Sequence, residues 1–329
     1  MTQLWIGTYP SAGAGTPVGR GEGVWTVELE PATGELRDAR QVATTPSPSF
    51  LATHPNGRVL YAVNEHTDGA VTAFEVRDGT LLELAVVPSG GDDPCHLVVD
   101  GDTLLVANYS SGTLAAIPLD EDGAFAGDAA VFGHEGSGPV AERQEGPHAH
   151  FVALDPGGAH VLVVDLGTDE IRRYARTRDG LRPDGIAARF APGTGPRHVA
   201  FAPDGRHAYV VGELDGSMHV LAWLAGTEVQ RVPIATGSLL AHVLLDGDRL
   251  LVGVRGGDVI ARLAVGADGL LTPVADDPLP GSWPRHHEVV DGWAVVAEQI
   301  GGALTVLAPD GSVASRLPLP APACIVPIL

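Results

Sequence analysis

One unit is repeated along this chain, and it is clearest in residues 195–223, GPRHVAFAPDGRHAYVVGELDGSMHVLAW. Three short runs of apolar, β-favouring residues, 199–201, 208–211 and 218–221, are separated by the turn sequences PDG and DG. Asp-Gly pairs supply the positive backbone φ that tight hairpins require. The segment therefore predicts a three-stranded antiparallel meander.

The same order of strand, turn, strand, polar pair, turn and strand recurs along the chain. Six copies begin roughly 44 to 54 residues apart, which is the period of four-stranded propeller blades. Intervening segments, such as 82–88 and 231–234, predict the fourth and outermost strand of a blade. The six copies are residues 49–76, 95–119, 148–174, 195–223, 241–265 and 285–307.

Each end of the chain contains half a unit. Residues 319–329 have the pattern of a first strand, and residues 4–29 contain a second strand, a Gly-rich insertion and a third strand. Pairing the two ends closes a ring and removes exposed sheet edges. The sequence thus predicts an all-β, seven-bladed β-propeller of four-stranded antiparallel blades, as a single domain over residues 1–329. An open β-sandwich array is the alternative.

The composition restricts the partners. The net charge is −21, and all 20 basic residues are arginines, so nucleic acid and anionic membranes are disfavoured and lysine chemistry is excluded. The two cysteines, a start unlike a signal peptide and the absence of a run of about 20 apolar residues predict a cytoplasmic protein that binds no membrane. The oligomeric state stays open, with a monomer as one option.

Polar residues flank the first two strands of the units. In a propeller the first strand lines the central channel, so residues before it and after the second strand meet around the mouth of the channel. Several arginines at one spot repel each other unless an anionic ligand or a carboxylate lies between them. A loop-capping role is the alternative for each single residue. The set is His96, Asn108, His148, Asp165, Arg197, His198, Glu213, His242, Arg255, Arg285, His286 and Glu298.

Other site chemistries fit less well. His148 and His150 place two imidazoles on one strand face, which keeps a metal site as an alternative, but no carboxylate-rich cluster accompanies them. We therefore expect no metal and no other cofactor. Nucleophilic catalysis lacks a Gly-x-Ser-x-Gly motif, and among the tryptophans only Trp283 is a candidate for the mouth.

Several motifs resemble those of the seven-bladed propeller lactonases, the family containing the bacterial propeller-type 6-phosphogluconolactonase and the fungal carboxy-muconate lactonizing enzyme. The resemblance covers essentially the whole chain and implies a cytoplasmic enzyme that opens or closes a lactone ring without an obligatory metal. For a hydrolase of the 6-phosphogluconolactonase type, it implies a place in the pentose phosphate pathway of carbohydrate metabolism. The motifs are PCHLVVDG, VANYSSG, GPHAHFVALDP, DLGTDEIRRY, GTGPRHVAFAPDGRHAYVVGEL, SWPRHHEVVDG and VAEQ.

The resemblance also assigns roles. By motif the catalytic residues fall on His148, Arg197 and Glu213. We expect His148 to act as a general base on water, Arg197 to hold the anionic group or the oxyanion, and Glu213 to orient the imidazole or hold sugar hydroxyls. The residues predicted to bind substrate, a small anionic lactone, are His96, Asn108, His198, Arg255, Arg285 and His286.

The chain also departs from the family pattern. Gly253-Val254 replaces a usual Ser-Asn, Gly212 replaces an Asn, and Glu298 brings a negative charge to the mouth, where it would oppose a phosphate. Two alternatives to a 6-phosphogluconolactonase-like hydrolase remain, a cycloisomerase of muconate type and a non-catalytic binding scaffold. Two long connections, 11–22 and 131–145, are candidates for covering the site.

Overall fold

The structure, a computed structural model, describes residues 1–9, 23–234 and 239–328. Within these ranges the strands form seven four-stranded antiparallel sheets, which we number as blades 1 to 7. Blade 1 is made by both chain ends, in the order β28 (Pro322–Pro327), β1 (Thr2–Thr8), β2 (Val24–Leu29) and β3 (Leu36–Ala43). The predicted propeller with a split closing blade is therefore confirmed.

The other six blades follow in chain order, each running from the channel outward. Blade 2 contains β4 (Leu51–Thr53), β5 (Val59–Asn64), β6 (Ala70–Arg77) and β7 (Thr80–Pro88). Blade 3 contains β8 (Pro94–Asp100), β9 (Thr103–Asn108), β10 (Thr113–Pro118) and β11 (Ala130–Gly133). Blade 4 contains β12 (Ala149–Leu154), β13 (His160–Asp165), β14 (Glu170–Thr177) and β15 (Gly180–Arg189).

The last three blades repeat this arrangement. Blade 5 contains β16 (Pro196–Phe201), β17 (His207–Gly212), β18 (Ser217–Ala222) and β19 (Thr227–Pro233). Blade 6 contains β20 (Leu240–Asp246), β21 (Arg249–Val254), β22 (Val259–Val265) and β23 (Leu271–Pro278). Blade 7 contains β24 (Pro284–Val290), β25 (Trp293–Glu298), β26 (Ala303–Leu307) and β27 (Val313–Pro318). A 3₁₀ turn, Trp223–Ala225, joins β18 to β19.

The turns of blade 5 show why the repeated sequence folds as a meander. Gly205 and Gly216 both have a φ of 68°, in the left-handed region that favours glycine. The aspartate before each turn caps it, because Asp204 Oδ1 accepts from the Arg206 amide at 2.9 Å and Asp215 Oδ1 accepts from the Ser217 amide at 3.0 Å. The DG signals thus fix the loop length and the register of the strands.

The core lies between the blades. Each pair of neighbouring blades shares an apolar cluster, including the pairs on either side of blade 1. Leu4 of β1 packs with Val295 and Leu304 of blade 7, and Trp5 packs with Leu60 and Phe74 of blade 2. Burial of these faces is the main favourable term for closing the ring.

Blade 1 joins the two chain ends through main-chain pairing. The residue pairs of β1 and β28 include Trp5 with Val326 and Ile6 with Ile325, and β2 lies on the other side of β1. The Gly-rich connection predicted at residues 11–22 lies outside the described residues. Over the described ranges, no helix is long and apolar enough to cross a membrane.

The connection between blades 3 and 4 lies three residues later in the chain than predicted. Residues 131–133 belong to strand β11, which pairs with β10, so the loop occupies residues 134–148. Strand β11 is only four residues long and mostly exposed, so its sequence has too little periodicity to distinguish it from a loop.

The inner strands carry a shift of register near their start. It lies between Pro94 and His96 in β8, and the equivalent places of β12, β16, β20 and β24 show the same irregularity. A bulge redirects the side chains around it. In β16 the bulge contains Arg197 and His198, which were expected just before the strand and lie within it.

Candidate functional site

Glu213 is the centre of the mouth. It follows β17, and three guanidinium groups converge on its carboxylate. Arg143 Nη2 lies 2.6 Å from Oε1, whereas Arg255 Nη2 and Arg197 Nε lie 2.6 Å and 3.1 Å from Oε2. Arg197 comes from the bulge of β16, Arg255 follows β21, and Arg143 belongs to the loop between blades 3 and 4. The structure thus brings together Arg197, Glu213 and Arg255, as predicted.

This cluster carries an excess of positive charge. Burial alone would raise the pKa of Glu213, but Arg255, Arg143 and Arg197 outweigh that effect and lower it to about 2. Burial lowers the pKa of Arg197 to about 9, with a further contribution from Arg255, so Arg197 stays protonated at neutral pH. Three cations on one carboxylate leave a net charge of +2 on these four residues. Such a mouth favours an anionic ligand.

His148 is linked to this cluster through Tyr109. The His148 and Tyr109 rings are stacked, with centroids 4.3 Å apart and planes 13° apart. The Tyr109 hydroxyl lies 3.4 Å from Arg143 Nη2, which in turn bonds to Glu213. His148 therefore lies one tyrosine ring away from the arginine cluster. The expectation that Glu213 orients the imidazole is wrong, because the contacts of Glu213 are to guanidinium groups.

The partners of His148 define its tautomer. Nδ1 lies 3.0 Å from the carbonyl oxygen of Tyr109, and a carbonyl can only accept, so Nδ1 carries the proton of the neutral ring. The lone pair is then on Nε2, a buried atom without a hydrogen-bond partner in the described part of the chain. Glu145 Oε1 approaches Nε2 to 3.4 Å without hydrogen-bond geometry. A free Nε2 lone pair is one requirement of a general base on water.

Arg285 belongs to a second charged cluster. Its guanidinium lies 4.2 Å from the centre of the Tyr9 ring, and its Nη2 lies 3.9 Å from Glu65 Oε1. Glu65 also accepts hydrogen bonds from the hydroxyls of Tyr9 and Ser49, and Gln299 Oε1 accepts from Arg285 Nη1 at 3.3 Å. Arg285 still contributes to lowering the pKa of Arg197, so both clusters act on the same mouth.

The predicted histidines other than His148 line the channel. His198 and His242 meet through their Nδ1 atoms at 2.9 Å, and the His242 and His286 rings are stacked 4.2 Å apart. His96 packs on the ring of Phe151 at 3.9 Å. Burial lowers the pKa of His96 to about 3 and moves the pKa of the other three well below its ordinary value. These rings are neutral at physiological pH, and His198 alone among them contacts the arginine cluster, through Arg197.

Asn108 and Asp165, the last residues of the second strands in blades 3 and 4, bond to neighbouring loop and strand residues and not to the arginine cluster. Asn108 donates to Ser89 O and Thr113 Oγ1, each at 3.0 Å, so its predicted role in substrate binding is not supported by its contacts. Asp165 accepts from the backbone amide of His148 at 2.9 Å, and its other oxygen faces His134 Nδ1 at 2.5 Å. Asp165 thereby fixes the start of blade 4.

Glu298 is neutralised by a partner. Arg316 of β27 donates to Glu298 Oε2 from Nη2 at 3.0 Å, and Thr305 and the Gly281 amide bond to Oε1. The prediction that Glu298 would repel a phosphate is therefore wrong. Its carboxylate is fully buried and forms an ion pair with Arg316 on the outermost strand of its own blade.

The residues that reach the mouth directly follow the last residue of the second strand in each unit. Glu213 and Arg255 occupy this place in blades 5 and 6, and the same count gives Glu65, Tyr109 and Gln299 in blades 2, 3 and 7. The register of the repeat therefore places Tyr109 and Glu65 at the mouth, although neither was among the predicted site residues. Arg143 lies in a loop outside the repeat, so no periodic signal identifies it.

Trp283 lies beside the mouth, as predicted. Its φ is 66°, which is uncommon for a bulky side chain, and its amide donates to Asp258 Oδ1 at 2.8 Å. The Arg255 guanidinium lies 5.3 Å from the Trp283 ring centre. No group of three or more His, Cys, Asp or Glu side chains arranged to hold a metal occurs among residues 1–9, 23–234 and 239–328.

Comparisons with known proteins identify the family of this chain. The family model described as "Lactonase, 7-bladed beta-propeller" matches residues 3–326. The 6-phosphogluconolactonase of Bacillus subtilis is 32% identical, over 98% of this chain and 97% of the relative. A crystal structure of a candidate 6-phosphogluconolactonase from Bacteroides fragilis superimposes with a TM-score of 0.89 at 28% identity, covering 100% of this chain and 98% of that one. The periplasmic gluconolactonase of Pseudomonas aeruginosa gives a TM-score of 0.91 at 28% identity, covering 100% and 99%. The chain belongs to the seven-bladed β-propeller lactonase family and is a lactone hydrolase.

Proposed function

We propose that this enzyme hydrolyses a sugar δ-lactone, with 6-phosphogluconolactone as its main substrate. The observation that carries the proposal is the convergence of three arginines on Glu213 beside an imidazole whose Nε2 is unpartnered among the described residues. A net positive mouth suits an anionic lactone, and the Bacillus subtilis relative bears the name of this activity.

In the proposed reaction, His148 Nε2 takes a proton from water while the water oxygen attacks the lactone carbonyl carbon. The carbonyl π electrons move to the oxygen, and Arg197 stabilises the resulting oxyanion. Collapse of this intermediate re-forms the carbonyl and breaks the bond to the ring oxygen. The leaving alkoxide receives the proton from His148, so water is consumed and the product is a hydroxy acid.

The anionic product also fits the site. Ring opening creates a carboxylate, for which arginine is a suitable partner because of its planar pair of donors. Arg255 and Arg197 are held by backbone carbonyls of residues 239–241, at distances of 2.8 to 3.3 Å, so they are oriented before any ligand arrives. Preorganised donors of this kind stabilise developing charge at little reorganisation cost.

We also propose a cytoplasmic location, in the pentose phosphate pathway. Both cysteines, Cys95 and Cys324, are free and buried, which is compatible with a reducing compartment. The Pseudomonas aeruginosa neighbour is periplasmic by name, so fractionation of native cells followed by immunoblotting is the direct check. Recovery of the protein in a periplasmic extract would contradict this location.

The test of the function is proton release in a pH-stat, with 6-phosphogluconolactone, gluconolactone and unrelated lactones, each with and without EDTA. We expect acceleration over the spontaneous rate for the phosphorylated lactone, unaffected by EDTA. His148→Ala should lose about 10²- to 10⁴-fold in kcat, the usual contribution of a general base. Its thermal midpoint should stay close to that of the parent.

The matched control is His160→Ala. His160 is a partly buried histidine at the start of β13, at the far end of this strand from the mouth, and it should leave the rate unchanged. No acceleration for any lactone would overturn the function, and consumption of a muconate with loss of its ultraviolet absorption would replace it by a cycloisomerase. A folded His148→Ala variant with parental turnover would overturn the assignment of the base.

A further inference from the structure

Arg143 differs from the other two arginines on Glu213 in its exposure. Its side chain is 27% exposed, whereas those of Arg197 and Arg255 are 3% and 4% exposed. It therefore forms the solvent side of the cluster. A ligand entering from outside meets Arg143 before it reaches the two buried arginines.

Arg143 also keeps donors available. Within the described ranges, its polar contacts are to Glu213 and the Tyr109 hydroxyl and use Nη2 only. Arg197 and Arg255, by contrast, donate to main-chain carbonyls as well as facing Glu213. The Nε and Nη1 groups of Arg143 remain for a ligand, and a guanidinium edge with several donors is suited to the oxygens of a phosphate.

The loop that carries Arg143 is held in place by its neighbour Gln144. Gln144 is fully buried, and its Nε2 donates to Leu166 O and Asp169 Oδ1, each at 2.9 Å. Asp169 also accepts from the amides of Gly193 and Gly195, each at 2.7 Å, in the segment that leads to Arg197. The loop and the start of blade 5 thus share one anchor. The backbone of Arg143 is fixed relative to Arg197 while its side chain stays accessible.

The order of contacts in the mouth fits the chemistry of a phosphorylated lactone. In 6-phosphogluconolactone the phosphate-bearing carbon is attached to the ring carbon next to the ring oxygen, and the carbonyl carbon is on the other side of that oxygen. The phosphate and the reacting carbonyl are therefore close in the molecule. In the mouth, Arg143 contacts the hydroxyl of the tyrosine on which His148 stacks. One ligand can then place its carbonyl at His148 and its phosphate at Arg143.

We propose that Arg143 binds the phosphate of the substrate and gives the enzyme its preference for phosphorylated over unphosphorylated sugar lactones. This inference rests on the proposed lactonase function. It assigns the fixed pair, Arg197 and Arg255, to the reacting end of the lactone and Arg143 to the phosphate. The residue lies in the loop between repeats, and the motifs that indicate the base and the buried arginines do not include it.

The test compares kcat/KM for 6-phosphogluconolactone and gluconolactone in the parent enzyme and in Arg143→Gln. Removing a charge-assisted hydrogen bond costs about 1.5–3 kcal/mol, so the ratio of the two values should fall about 10- to 150-fold in the variant. Arg143→Lys should recover part of the preference, because it restores the charge without the planar donors. Some loss on both lactones is expected, since Glu213 loses one of its partners.

Arg176→Gln is the matched control. Arg176 Nη2 also lies 2.6 Å from a carboxylate, Asp100 Oδ1, but on β14 away from the mouth. This variant should keep the parental ratio. An equal loss of kcat/KM on both lactones in Arg143→Gln would overturn the assignment and leave Arg143 with a structural role.

A binding experiment separates failure of this inference from failure of the function. Isothermal calorimetry with 6-phosphogluconate and gluconate needs no turnover. If the parent hydrolyses neither lactone, the proposed function fails, but a preference for 6-phosphogluconate that disappears in Arg143→Gln still supports the phosphate site. Equal affinity of the parent for the two acids, or a preference unchanged in the variant, refutes it.

Discussion

Replacing Glu213 by glutamine tests whether this carboxylate holds the mouth together. The substitution keeps the shape of the side chain and removes the charge that three arginines share. Two of these guanidinium groups are buried, so without the carboxylate charge their mutual repulsion would be only weakly screened by solvent. We expect a folded but less stable protein.

The magnitude follows from the protonation equilibrium. The pKa of Glu213 falls from 4.5 to about 2 in the folded protein, which corresponds to about 3 kcal/mol of favourable interaction at neutral pH. Removal of one partner from a buried ion pair costs about 3–5 kcal/mol by direct measurement on other proteins. For a chain of 329 residues this free energy lowers the thermal midpoint by roughly 4–7 °C.

The assay is thermal unfolding followed by circular dichroism, between pH 3 and pH 8. Because the pKa of Glu213 is lowered, its contribution is present above pH 4.5 and decreases as the pH falls from 4.5 towards 2. The difference between parent and Glu213→Gln should therefore be largest at neutral pH and shrink near pH 3. Phosphate should stabilise the variant more than the parent, since an anion can replace the missing charge.

Two results would refute this reasoning. One is a midpoint for Glu213→Gln within 1 °C of the parent at pH 7, which would mean that the arginines do not depend on this carboxylate. The other is a deficit that stays constant from pH 8 to pH 3. Glu228→Gln is a suitable control, because Glu228 contacts His219 and Arg231 on the outer part of blade 5, away from the mouth.

Two further predictions concern the channel and the closing blade. Deleting residues 319–329 removes β28, exposes the edge of β1 and should abolish soluble expression; a soluble truncated protein with the parental midpoint would show that closure does not need this strand. Burial raises the pKa of Glu288 on β24 to about 7, so its ionisation opposes folding as the pH rises from 4.5 to 7. Glu288→Gln should therefore raise the midpoint by about 5 °C at pH 8 and leave it unchanged at pH 4.5, and an equal effect at both pH values would contradict this origin.

The fold was predictable because each turn carries its own local signal. The PDG and DG sequences that separate the strands of blade 5 have the backbone conformation they predict, with a φ of 68° at Gly205 and Gly216. The closing blade followed from the two half units at the chain ends. Strand β11 was missed because a four-residue strand with mixed exposure has too little periodicity to stand out from a loop.

The site was predictable in part. Glu213 and Arg255 were located because they directly follow the second strand of their units, and Arg197 because it begins a unit. The direction of a side chain at a strand end depends on one residue of register, which the sequence pattern does not specify. Asn108 and Asp165 therefore point to the loops, while Tyr109 reaches the mouth.

The channel histidines show a different limit of sequence reasoning. Their positions before or at the start of inner strands were found, but their role depends on burial and on the charge of Arg197, which only the packing reveals. Arg197 Nη1 can only donate, so His198 Nε2 accepts from it at 3.0 Å, and His198 Nδ1 then donates to His242 Nδ1. These rings support the arginine as neutral hydrogen-bonding groups.

A strongly acidic chain can still bind an anion in such a mouth. The net charge of −21 is spread over the whole chain, and surface charges are screened over about 10 Å at ordinary ionic strength. Arg197 and Arg255 are buried, so their fields are screened much less, and Glu213 offsets only one of the three positive charges. The acidic surface therefore opposes the approach of an anionic lactone, whereas the buried arginines favour it once it has entered the mouth. Arg143 is partly exposed and lies where the two environments meet, which is the position expected of the residue that we propose to bind the phosphate.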